Sequence, residues 1–122
     1  MSKYELDFEQ VWTTKEGLLV VVLMTSMGHR CGYVSVEEGH PFHGVEYMTE
    51  APNGERPDCA ISVHGGITYS SYGHDLEYPL PTPGGWWFGF DCNHLMDREY
   101  PKSLGYCVTQ CESMSEQLAA MT

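Results

Sequence analysis

The sequence predicts an α+β domain in which an antiparallel sheet of about five strands, joined by long loops, packs against one C-terminal amphipathic helix. Three observations predict this class: several short apolar or alternating segments of strand length, two long stretches rich in glycine and proline, and one segment with helical periodicity. A chain of 122 residues with 42% hydrophobic residues can build a real core, so residues 1–122 are assigned to a single domain.

The first three predicted strands lie in the N-terminal third of the chain. Residues 4–8 alternate apolar and polar side chains, as a half-buried strand does. Residues 17–24 form the longest apolar run, which favours a buried central strand, and Arg30–Val36 is expected to pair with it as a hairpin. Together they predict the beginning of an antiparallel meander.

Two further strands are predicted around the long loops 37–58 and 72–85, which hold nearly all of the prolines. Residues 59–71 are predicted as a strand with a double-glycine interruption, and Trp86–Asp91 as the last strand.

The segment 104–121 is the one good helix candidate, and Ser103 is its predicted N-cap. Apolar residues recur at spacings of three and four, so the helix should pack one stripe on the sheet. The stripe comprises Val108, Cys111, Met114, Leu118 and Met121.

Charge and cysteine usage limit the partners and the compartment. With 17 acidic residues against 6 lysines and arginines, the formal net charge is −11, which disfavours duplex nucleic acid and anionic membrane as main partners. No apolar run approaches the roughly 20 residues of a membrane span, and no signal peptide is evident. Five cysteines without a C-x-x-C pattern predict free thiols in a reducing cytoplasm.

The segment "VHGGITYS", residues 63–70, is the first candidate for a ligand site. Glycine within a strand-like run indicates a bulge or a close backbone approach, so Gly65 and Gly66 are expected to present N–H groups beside His64. Thr68 and Tyr69 add hydroxyl groups just beyond. The competing interpretation is a bulged turn in which the histidine is incidental.

The segment "FDCNH", residues 90–94, is the second candidate. On an extended backbone Cys92 and His94 share one face, and Asp91 lies on the other. Cys92 with His94 or His64 as base would form an activated thiol pair. The same three side chains would alternatively hold a zinc ion, although C-x-H is not a strong metal spacing. The third interpretation is a polar ligand pocket or structural network that needs no metal or cofactor.

Arg30 and the adjacent tryptophans complete the candidate set. In so acidic a chain, Arg30 is either an anion contact or a salt-bridge partner. Trp86 and Trp87 must face opposite sides of a strand. One ring can fill the core, and the other, assigned to Trp87, stacks on a planar ligand, lies under a loop or enters a subunit contact. The competing interpretation is a strand that is buried on both faces.

As a set, the segments "MGHRCGYV", "GHPFHG", "VHGGITYS" and "GWWFGFDCNH", followed by "CESMSEQLA", resemble a family of small, mostly uncharacterised proteins of phages and bacteria. The resemblance runs from about residue 18 to the C-terminus and implies no established activity. The chain departs from it where Met96 precedes Asp97, a position at which the family tends to have glycine. A phage setting implies one class of function, since some small phage proteins sequester the nucleotide-derived signals of bacterial immune systems.

Three hypotheses of function follow. The first is a non-enzymatic cytoplasmic protein, compatible with a homo-oligomer, that binds a small polar ligand of nucleotide-derived type where the two motifs meet on adjacent strands. The second is a small hydrolase or transferase with Cys92 as nucleophile, or with a metal held by the same groups. The third is an acidic protein that blocks a host enzyme. The pocket of the first hypothesis comprises Arg30, His64, Gly65, Gly66, Thr68, Tyr69, Trp87, Asp91, Cys92 and His94.

Overall fold

Five strands form one fully antiparallel sheet, and a long C-terminal helix packs on it, which confirms the predicted α+β class. The computed structural model describes residues 7–25, 28–72, 85–92 and 102–121. The strands are β1 (Asp7–Thr13), β2 (Leu19–Met24), β3 (Arg30–Val36), β4 (Tyr69–Tyr72) and β5 (Trp86–Asp91). Within these ranges the helices are the one-turn α1 (Pro57–Ala60) and the 16-residue α2 (Leu104–Ala119).

The strand order departs from the predicted meander in its second half. The sheet has the order β1-β2-β3-β5-β4, so that β5 pairs with β3 and β4 lies outside it. The sequence of β5, "WWFGFD", is almost wholly buried, whereas β4 is the short, hydroxyl-rich "YSSY". A strand that is apolar on both faces gains most from a central position, and a short polar strand is suited to an edge.

Two predicted strands have the wrong bounds. The first strand, described over Asp7–Thr13, extends past the predicted end at Phe8, because "VWT" continues the β-favouring sequence; the predicted residues 4–6 lie outside the described residues. The predicted strand at the start of 59–71 is wrong. Cys59 and Ala60 instead form the end of α1, and the strand β4 begins only at Tyr69. The first residue of α1 is Pro57, at the position where the missing N–H of proline costs least.

The first face of the sheet carries the main core, under α2. Side chains of β2, β3 and β5 pack there against the helix and against Phe42, which the loop after β3 inserts as a fully buried ring. The stripe of α2 that meets them agrees with the predicted one and adds Cys107 at its start; its buried apolar members are Cys107, Cys111, Met114 and Leu118.

Trp86 and Trp87 point to opposite faces, as predicted, since Trp86 joins the first core and Trp87 a second one. The second cluster is made of strand residues, with Trp87 and Tyr33 as its largest buried members. Both faces of the central strands are therefore apolar.

Two cross-strand pairs of β3 and β5 each set a glycine against an aromatic ring. Gly32 pairs with Phe90, and Gly89 with Tyr33. A Cβ at Gly32 would lie 2.5 Å from the Phe90 ring and 2.6 Å from Cys111 Sγ, and a Cβ at Gly89 would lie 2.5 Å from the Tyr33 ring. The missing side chains therefore leave room for one ring on each face, and at Gly32 for the close approach of α2.

Candidate functional site

The sheet distributes the predicted pocket residues over its two faces. Arg30 of β3 is paired with Met24 of β2 and lies on the first face, which α2 covers. Asp91 is paired with Cys31 and lies on the other face, with the second cluster. His64 and Cys92 are also on the helix side, through contacts with α2. The candidate His94 lies outside the described residues.

The "VHGG" segment forms a tight turn docked on α2 rather than a bulge in a strand. The Gly66 N–H donates to Val63 O at 2.8 Å, and Gly65 and Gly66 have φ of 68° and 81°, which explains why both positions are glycine. The backbone N–H of His64 donates to Gln110 Oε1 at 2.8 Å. The turn is thereby fixed against the helix.

Tyr106 contacts both His64 and Lys102, and the sequence interpretation missed Tyr106 and Lys102. The distance from His64 Nδ1 to Tyr106 Oη is 2.9 Å, and the two rings contact edge to face with centroids 5.4 Å apart. The Lys102 ammonium lies over the same phenol ring, 5.5 Å from its centroid. Tyr106 is 37% exposed, so this His64–Tyr106–Lys102 cluster faces solvent near the start of α2.

A polar stripe on α2 is the signal that could have revealed this docking. Gln117 accepts from the Ser62 N–H and donates to the Ser62 carbonyl, both at 2.7 Å. Tyr106, Gln110 and Gln117 follow at helical spacing and share one face, beside the apolar stripe. A stripe of this kind indicates a helix that binds a further chain segment, but it does not say which one.

Arg30 is the partner in a salt bridge, one of the two roles that the sequence left open. Its guanidinium donates to both carboxylate oxygens of Glu9, at 2.7 and 3.1 Å, and to Lys102 O at 2.9 Å. The pKa of Arg30 is raised, chiefly by the hydrogen bond with Glu9. The register of β1 shifts at Glu9, as in a β-bulge. Arg30 thus joins β1, β3 and the start of α2.

Cys92 lies in the core, against a second thiol. Its Sγ is 3.6 Å from Cys107 Sγ, and the residue is 4% exposed. A thiol buried to this extent is out of reach of the larger substrates of a hydrolase or transferase. The Nδ1 atom of His64, the other residue of the predicted thiol pair, lies 2.9 Å from Tyr106 Oη.

The remaining predicted residues gather at the opposite face and at the β4 edge. Thr68 Oγ1 donates to Asp91 Oδ2 at 2.9 Å, which joins one residue from each motif. The ring of Tyr69 contacts that of Tyr33 edge to face, with centroids 5.3 Å apart. Trp87 is fully buried and presents no exposed surface on which a ligand could stack.

Comparison with known proteins supplies no relative, because no family model, curated protein or solved structure matches the chain. Within the described residues, no group of three or more histidines, cysteines and acids is arranged to hold a metal ion. In the same part of the chain, no helix is both long enough and apolar enough to cross a bilayer.

Proposed function

We propose that this chain is a non-enzymatic protein that binds a small anionic ligand of nucleotide-derived type at the His64–Tyr106–Lys102 cluster. The observation that carries the proposal is the convergence of an ammonium group and an imidazole on one half-exposed phenol ring, in a chain whose formal net charge is −11. In so acidic a chain, a local group of cationic and neutral donors is suited to a phosphate or a carboxylate.

The three residues of the cluster are also held in place by the surrounding structure, as a binding site requires. The turn that carries His64 is held by Gln110, and the start of α2 that carries Tyr106 is capped by Ser103, whose Oγ accepts from the Tyr106 N–H at 3.1 Å. Arg30 fixes the backbone of Lys102 by donating to its carbonyl oxygen. Donors positioned in advance lose little conformational entropy when they bind, which favours affinity.

Long-range repulsion by the acidic surface does not prevent such binding. At physiological ionic strength charges more than about 8 Å away are largely screened, so the donors in direct contact decide the local attraction. By analogy with small phage proteins that sequester nucleotide-derived immune signals, the biological role that we propose is sequestration of such a signal in the host cytoplasm.

The test begins with the native protein. Small molecules released by denaturing the purified protein are identified by mass spectrometry, and the released compound is titrated back by calorimetry. If nothing is released, inorganic phosphate, AMP and a cyclic dinucleotide serve as probes. We expect Lys102→Gln to weaken binding by about tenfold or more, since a hydrogen bond to a charged group contributes about 1.5–3 kcal/mol.

Lys15→Gln is the matched control, because it removes the same charge elsewhere. Lys15 is 74% exposed and pairs with Glu116, ten residues after Tyr106 and hence about 15 Å further along the helix. Tyr106→Phe tests the phenol oxygen and keeps the ring. Equal affinities of the Lys102 and Lys15 variants, with both folded by circular dichroism, would reject this site.

A further inference from the structure

Cys92 and Cys107 form a close pair of thiols that the proposed ligand site does not use. Their sulfur atoms are 3.6 Å apart, in hydrogen-bonding contact, and both residues are buried. We propose that this pair is a site of oxidative modification, at which a peroxide converts the two thiols into an intramolecular disulfide.

The backbone holds both cysteines in place for this reaction. The Cys92 N–H donates to Arg30 O at 2.9 Å, at the end of β5, and the Cys107 N–H donates to Ser103 O at 3.1 Å, in the first turn of α2. A disulfide bond is about 2.05 Å long, so the sulfurs need to approach by roughly 1.5 Å for the bond to form.

The chemistry balances with one molecule of hydrogen peroxide. A thiolate sulfur attacks peroxide, an S–O bond forms as the O–O bond breaks, and the first water leaves once the departing hydroxide is protonated. The second thiolate then attacks the sulfenic sulfur, and the S–S bond forms as the S–O bond breaks; the departing hydroxide is protonated and leaves as the second water. The thiols lose two electrons and two protons in all, and both oxygen atoms of the peroxide leave as water.

The nearby guanidinium of Arg30 distinguishes this pair from the other two buried cysteines, Cys31 and Cys111. The guanidinium of Arg30 interacts favourably with negative charge on Cys107 and Cys92, which adds to the larger effect of Glu9 on the Arg30 pKa. A nearby positive charge favours the reactive thiolate. In contrast, burial raises the pKa of Cys31 to about 12 and raises that of Cys111 as well, so these two thiols are poor nucleophiles.

The bond would attach the end of β5 to the start of α2, beside Tyr106. A cross-link between these positions restricts the unfolded chain, so the oxidised protein should unfold at a higher temperature than the reduced one. The modification would therefore stabilise the helix end that carries the cluster.

Peptide mapping of the native, peroxide-treated protein tests the proposal. After free thiols are alkylated, non-reducing digestion should yield one cross-linked species that joins Cys92 to Cys107, has lost two hydrogens, and disappears on treatment with dithiothreitol. Cys111→Ser, which removes the neighbouring thiol one turn along α2, should keep this species. Cys107→Ser should abolish it.

Three results would overturn the proposal. The first is oxidation confined to the exposed Cys59 while Cys92 and Cys107 remain alkylatable. The second is a cross-link of Cys92 to another cysteine, and the third is a Cys92–Cys107 species that forms only in denaturant. Since all three are read from the wild-type protein, the outcome does not depend on whether a variant folds.

Discussion

His40 connects the loop after β3 to the last turn of α2 through both nitrogens of its ring. Nδ1 accepts from the Phe42 N–H at 2.9 Å, so Nε2 carries the proton and donates to Leu118 O at 2.7 Å. The arrangement requires a neutral ring, because protonated Nδ1 cannot accept. Burial lowers the pKa of His40 below its usual value, in agreement with this requirement.

A pH dependence of stability follows from His40. With the folded-state pKa below the unfolded value of about 6.5, the contribution is complete above pH 6.5 and is lost as the pH falls, because the unfolded chain takes up the proton first. We expect the free energy of unfolding to decline between pH 7 and pH 5 less steeply in His40→Gln than in the wild type. The difference cannot exceed about 1.4 kcal/mol per pH unit.

Denaturant titrations at several pH values check this expectation. Gln is the suitable replacement because its amide can still donate to Leu118 O and does not titrate. An unchanged slope in His40→Gln would assign the pH dependence to other groups.

At single residues, the sequence defined the alternatives but seldom chose between them. Arg30 was assigned either to a ligand or to a salt bridge, and its ion pair with Glu9 of β1 is what the structure shows. The opposite orientations of Trp86 and Trp87 were predictable, since they follow from strand geometry alone. Burial of this strand on both faces was one of the alternatives, and the full burial of Trp87 bears it out. The sequence could not choose it over a ligand contact, because the choice depends on what packs over the second face.

Among the elements, α2 shows how far local sequence determines structure. Ser103 caps the helix as predicted, and the apolar stripe lies where the spacing placed it. Capping and periodicity are properties of neighbouring residues, and they can be recognised without knowledge of the fold.

The cap provides a test at the scale of the element. Ser103→Ala removes the acceptor for the Tyr106 N–H and should lower the free energy of unfolding by about 1 kcal/mol. Ser103→Asp should largely restore it, since aspartate caps as well as serine.

Thr109→Ala is the control for this test. It also removes a hydroxyl group from α2, but that group donates within the helix to Gly105 O, and alanine has the higher helix propensity. Urea denaturation measures all three variants, and an equal loss in Ser103→Ala and Thr109→Ala would contradict the role of the cap.

The position of β5 inside the sheet shows what local sequence cannot provide. Both β4 and β5 were recognisable as extended segments, yet their order depends on which strand gains more from burial on two faces. The same holds for the site, because His64 and Tyr106 lie 42 residues apart in sequence. The expected meeting of the two motifs occurs at Thr68 and Asp91.

For the whole molecule, the excess of acidic residues should affect stability. A net charge of −11 repels itself more strongly in the folded chain than in the expanded one, and salt screens this repulsion. We expect the melting temperature to rise as sodium chloride increases from about 10 to 200 mM. A gain of about 1 kcal/mol corresponds to roughly 4 °C for a domain of this size.

A charge-reduced variant is the comparison for this measurement. Glu37 and Glu38 are adjacent and exposed, so replacing both by Gln removes two negative charges from the surface. Differential scanning fluorimetry should show a smaller increase with salt in this variant. A salt response as large as that of the wild type would mean that specific ion binding, rather than screening, stabilises the fold.

In β3 and β5 each of two glycines is paired with an aromatic residue, and this pairing limits which substitutions the chain can accept. Gly32 and Phe90 share one volume on the first face, and Gly89 and Tyr33 share another on the second. A side chain added at either glycine would be accommodated only if the opposite ring became smaller, and at Gly32 also if Cys111 gave way. In descendants of this sequence, substitutions at these positions should therefore arise in compensating pairs.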